Sequence, residues 1–258
     1  MKKNYLIFIS IVLLSCLCLF TACNGKTAKT TNASSVTKTN GDNSVKSESS
    51  ANPVGTFTEF STDISGEKAF EFELSKDKKS YSVVKYNGLE EEISIPSTYL
   101  GKPIEVIGFY AFYDCNTIKK VVLPDTIKKI DLCAFNNCQE LENINLPNSI
   151  TEISSSAFKN CRSLKTVNLP NGLLKLGNEA FSFSSIESLT LPNSLKYIGE
   201  ETFSACFDLQ SVKFENDSGW FVSTDKNATT GTLVSVTDPT ANAEMLKNTY
   251  RDYYWICN

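Results

Sequence analysis

The chain is 258 residues long, 41% hydrophobic, with a formal net charge of −4, a balance that suits a solvated body and leaves no basic footprint for nucleic acid. It has no histidine, which removes the usual general base and the commonest zinc and copper ligand in one stroke. It also lacks a G-x-S-x-G elbow, a phosphate-cradling glycine loop and a C-x-x-C pair, so no catalytic residue, metal ligand or cofactor is assigned and the reading is not an enzyme.

Lys2 and Lys3 precede an almost unbroken apolar run, Tyr5 to Phe20; Thr21-Ala22-Cys23 then gives way to polar Asn24-Gly25-Lys26. This is a secretory signal in form. Its end resembles the lipobox of bacterial lipoproteins, which implies cleavage before Cys23 and lipidation of that cysteine. The leucine that family prefers three residues before the cysteine is Phe20 here. Leu13-Leu14-Ser15-Cys16 does have it, but cleavage there would leave apolar Leu17 to Phe20 on the mature end. An uncleaved anchor is a third alternative, since about 18 apolar residues span a hydrocarbon core of ~30 Å. Each case puts residues 1–23 in a membrane-targeting role and the rest outside, tied to the membrane. Residues 24–55 are half Ser, Thr and Asn with no aromatic, which predicts a disordered tether averaging ~30 Å end to end.

Residues 56–103 turn apolar again. Phe70 to Leu74 alternates strictly and Tyr81 to Tyr86 nearly so, both reading as strands with one buried face. Asn87-Gly88 is a hairpin signal, and Ile93-Ser94-Ile95-Pro96 reads as a degenerate first coil. This segment is expected to be an N-terminal cap, with Glu90, Glu91 and Glu92 in a solvated turn and not in a metal or catalytic site.

From 104 to 217 the chain repeats itself. Phe112, Phe135, Phe158, Phe181 and Phe203 recur every 22 or 23 residues, and Pro124, Pro147, Pro170 and Pro192 keep step. Such a period marks a solenoid whose coils must stack to make a core. Each repeat has a short strand with alternate residues inward (Val121 and Leu123, Ile144 and Leu146, and so on). A return half points Ile127 and Ile130, Ile150 and Ile153, and Leu195 and Ile198 inward. The phenylalanines read as core. The coil from Leu173 is one residue short and lacks the cysteine found three places after Phe in the others, so a local bulge is expected there. That cysteine column, Cys115, Cys138, Cys161 and Cys206, is expected as buried thiols in preference to bridges or a metal site; Cys133 and Cys257 fall outside it.

Residues 218–258 lose the period. Gly231 to Val236 reads as a strand, Asp238-Pro239 as a helix start, and Tyr250, Tyr253, Tyr254 and Trp255 as a lid on the last coil.

The unit L-x-x-L-x-L-P-x-x-I-x-x-I-x-x-x-A-F-x-x-C closely resembles the BspA-like leucine-rich repeat. The resemblance implies a bacterial cell-surface protein linked to adhesion, to matrix proteins and to other cells, and it carries no catalytic residues. The expected fold is a right-handed leucine-rich-repeat solenoid, mostly β with short irregular or helical returns, of about five to six coils with N- and C-terminal caps. Its candidate ligand-binding residues are the outward ones of the strand face: Lys120, Asn143, Asn145, Thr166, Asn168, Ser188, Thr190, Ser211 and Lys213. Five strands at ~4.8 Å spacing present only about 250 Å², against about 800 Å² per partner in a stable interface. The expected function is an exported, membrane-anchored binding module for an extracellular or surface protein, or a glycan. The alternatives are an envelope-assembly protein and an accessory or inhibitor of an extracellular enzyme.

Overall fold

A computed structural model describes residues 69–257; the signal segment, the tether, Cys16, Cys23 and residues 56–68 lie outside the described residues. The chain opens with an antiparallel pair, β1 (Phe70–Leu74) and β2 (Tyr81–Tyr86). The turn that joins them is Ser75 to Ser80, held by Ser75 donating to Asp77 at 2.7 Å. The hairpin expected at Asn87-Gly88 is absent. The Asn87 backbone N–H instead donates to Ala69 and its side chain to Glu71 at 2.8 Å, which carries the chain straight on. A hairpin forms further along, between β4 (Thr98–Tyr99) and β5 (Lys102–Ile107), where Leu100 and Gly101 both take positive φ as a tight two-residue turn demands.

Five coils come next, the first from Ile104 and the others from Ile127, Ile150, Leu173 and Leu195. The longest ladder runs along their return side. β2 and β5 pair in parallel, and β5 is followed by β7 (Lys129–Ile130), β9 (Glu152–Ile153), β10 (Lys175–Leu176) and β12 (Tyr197–Ile198). The returns thus hold short strands and no helix. The strand side carries two smaller sheets. One joins β3 (Glu92–Ser94), β6 (Lys120–Val122) and β8 (Asn143–Ile144); the other joins β11 (Ser188–Leu191) and β13 (Ser211–Phe214).

A third ladder runs through the A-F turns. The Phe112, Phe135 and Phe158 N–H groups each donate to a carbonyl of the next coil at 2.8 Å. Residues two before and two after each phenylalanine take positive φ: Tyr110 and Asp114, Cys133 and Asn137, Ser156 and Asn160, Glu179 and Phe183, Glu201 and Ala205. That geometry points every second N–H along the solenoid axis, and all of these but Ala205 donate to the neighbouring coil or the C-terminal segment. For non-glycine residues it costs on the order of 1 kcal/mol each, offset by the satisfied backbone groups.

Inside, the phenylalanines form one stack, with centroid separations of 4.7, 5.3, 5.3 and 5.9 Å and ring planes within 11° of parallel. The column cysteines are buried as thiols. Cys138, Cys161 and Cys206 each donate Sγ–H to the phenylalanine carbonyl of the preceding coil, at 2.9, 3.3 and 3.1 Å. In the short coil Ser184 holds the position, 3.4 Å from Cys206 Sγ. A small side chain with one donor is what the column needs.

The last coil is closed by antiparallel strands: β16 (Tyr254–Cys257) against β12, then β14 (Trp220–Ser223) and β15 (Thr232–Leu233). Trp220 and Trp255 are buried against Phe214. Helix α1 (Pro239–Glu244) is capped by Asp238, whose carboxylate accepts from Thr240 and Ala241, and passes into a π-helical turn, Met245–Thr249. Buried Asn242 donates to Val212 and Val236 carbonyls at 2.9 and 2.8 Å, fastening α1 to the last coil.

Candidate functional site

Alternation along the strand side buries Val121, Ile144, Val167, Leu189 and Val212, which turns all nine candidate residues away from the core. They do not form one uniform stripe. Lys120 is tied to Glu92 at 3.0 Å, and beside it Lys119 pairs with Glu91 at 2.9 Å. Glu90, the third acid of that run, accepts from the Tyr86 hydroxyl, which lowers its pKa. All three glutamates are exposed, as expected of a solvated segment, and each has a polar partner; Glu92 also opens β3. Asn145 is also committed: its Oδ1 accepts from Leu123 N at 2.7 Å while its Nδ2 donates to Leu123 O at 2.9 Å. It replaces a missing rung of the ladder with a side chain. Asn143 is exposed beside Lys120.

The other six come together. Thr166, Asn168, Ser188, Thr190, Ser211 and Lys213 line one open groove of about 440 Å³ across coils three to five. None of their side chains makes a hydrogen bond or ion pair among the described residues. Asn171 and Glu215 complete its polar wall, with Leu169 and Pro192 beneath. Residue periodicity did not pick out Asn171 or Glu215, because they lie in the turn and at the strand end, where the pattern assigns no outward face.

The groove lies where the strand-side ladder is broken. Thr166 to Leu169 form no strand, and their backbone groups make no hydrogen bond among the described residues. The short coil comes immediately after. Cys161 and Leu164 are separated by two residues, Ser184 and Ile186 by one. A shorter turn brings β11 to the strand side in a different relation to the coil before it. The bulge expected in this coil is not in the return ladder, where Lys175 pairs in step with both Glu152 and Tyr197. The irregularity falls on the strand side of the adjoining coil.

The groove holds hydroxyls, amides, one ammonium and one carboxylate. No group of three or more metal-ligating side chains occurs among the described residues. The groove's side chains offer hydrogen-bond donors and acceptors in both senses.

A family model, the BspA type leucine rich repeat region, matches residues 105–221 in six copies. The solved T. pallidum leucine-rich repeat protein is 34% identical, with a TM-score of 0.56, covering 57% of this chain and 70% of that one. This chain belongs to the BspA-type leucine-rich-repeat family. A leucine-rich repeat protein of Bacteroides ovatus is 30% identical with a TM-score of 0.53; the match covers 56% of this chain but only 39% of that one. No curated protein matches. The BspA-type repeat accounts for the core columns, which recur coil by coil, whereas the groove arises where this chain departs from its own period.

Proposed function

We propose that this chain is an exported, membrane-anchored BspA-type module that binds an extracellular or cell-surface protein through the groove on coils three to five. The observation that carries the reading is the convergence of six unpartnered polar side chains on one groove, beside backbone amides without partners among the described residues. The same columns in coils one and two are partly consumed by structure, at Lys120 and Asn145. Export and anchoring rest on Lys2, Lys3, the apolar run and the Cys23 motif. The face is small for a stable one-to-one complex, so the expected mode is weak binding strengthened by many anchored copies, as in adhesion.

The test is capture of matrix proteins and of the organism's own envelope proteins by the immobilised chain. Two variants serve as comparison: Thr166→Ala, Asn168→Ala, Thr190→Ala and Ser211→Ala combined, and Lys120→Ala alone. The combined variant should lose a captured partner at least tenfold while Lys120→Ala keeps it. Equal recovery by wild type and both variants would sink the groove as the binding site. The mass of the mature N-terminal peptide decides among Cys23, Cys16 and an uncleaved anchor.

A further inference from the structure

We infer that the A-F turns of coils one and two form a carbohydrate-binding platform built on Phe109 and Tyr113, apart from the strand-side groove. The chain supplies its own comparison. The position of Phe109 is Leu132, Ser155, Asn178 and Glu200 in the later coils, and that of Tyr113 is Asn136, Lys159, Ser182 and Ser204. The turn therefore folds without aromatics there. Yet Phe109 and Tyr113 stand 49% and 47% exposed, with Leu132 at 39% alongside. Tyr110 joins the two rings edge-to-face, at 4.1 and 4.9 Å between centroids, so the apolar surface is continuous and held in place.

Its rim is polar and equally held. Asp114 Oδ1 accepts from Asn116 and from Asn137 of the next coil, at 2.8 and 2.5 Å, and Gln139 donates to Asn137 at 3.0 Å. Neither turn, 109–118 or 131–141, contains a lysine or arginine, which disfavours an anionic ligand. Two half-exposed rings offer about 200 Å² between them, well short of a protein interface at about 800 Å² per side. An uncharged sugar fits all of this: its C–H face stacks on an aromatic ring while its hydroxyls meet fixed amides and a carboxylate.

The full chain is tested against chitotetraose, maltotetraose and mannotetraose, with sialyllactose as the acidic comparison, by saturation-transfer NMR. The variants are Tyr113→Ser alone and with Phe109→Ser, both residues the chain already uses at these positions, and cooperative unfolding verifies that they fold. The platform predicts binding of at least one neutral sugar, weakened at least tenfold by either variant and unchanged in the groove variant. Binding of none of the neutral sugars at millimolar concentration, binding of sialyllactose alone, or neutral-sugar binding that survives Tyr113→Ser would each overturn it. The groove reading is untouched by such a failure, since it is scored by protein capture.

Discussion

Phe158 sits between Phe135 and Phe181 with 5.3 Å to each ring and no exposure, so removing its ring leaves a cavity that two coils cannot both collapse into. Phe158→Ala should lower the unfolding free energy by about 3–5 kcal/mol, read as a lower urea midpoint. The thiols of the neighbouring column respond to pH. Burial pushes Cys161 and Cys206 above the ordinary thiol range. An acid raised in the folded state favours folding while protonated. Its contribution is complete below the ordinary thiol pKa of about 8.5 and is lost as pH climbs through it. The stability difference between the wild type and Cys161→Ser should therefore shrink from about pH 7 to about pH 10 in paired urea titrations. A difference that stays constant would mean the thiol is reached by water in the native state.

At the scale of the element, the A-F turn is the least legible part of the fold. Burial is written in side chains, so Phe, Ile and Leu columns can be read from spacing alone. The positive-φ positions before each phenylalanine cannot, because Tyr110, Cys133, Ser156, Glu179 and Glu201 share no side-chain chemistry; what they share is the direction of a backbone N–H. The same blindness hid the groove. Thr166 and Asn168 are recognisable as outward residues, but the open backbone beside them depends on how two coils meet. The Asn145 clamp on Leu123 is likewise invisible in a residue that reads as plain surface. Since Ser156 sits at φ 54, Ser156→Gly should be neutral or stabilising by up to about 1 kcal/mol, and Ser156→Val should destabilise by more than that. Chemical denaturation of the pair checks the sign. Destabilisation by glycine would show that the serine side chain, and not the backbone, holds the turn.

The molecule as a whole is a stack whose ends must be hidden. Antiparallel strands do this at both ends, β1 on β2 at one and β16 with β14 at the other. Cutting the chain before Thr249 removes Trp255 and β16, uncovering Ile198 and Phe214; size-exclusion chromatography should then show association where the full chain runs as a smaller species. Between the closed ends, the return-side ladder and the turns bond from coil to coil throughout, and the strand side opens at coil three. Recognition is proposed at this opening, and hydrogen exchange reads it amide by amide. Val167, Asn168 and Leu169 should exchange orders of magnitude faster than Ile153 in the chain alone, and should slow when a captured partner is added. Protection of those three amides in the isolated chain to the level of Ile153, or no change on adding the partner, would contradict recognition at this opening.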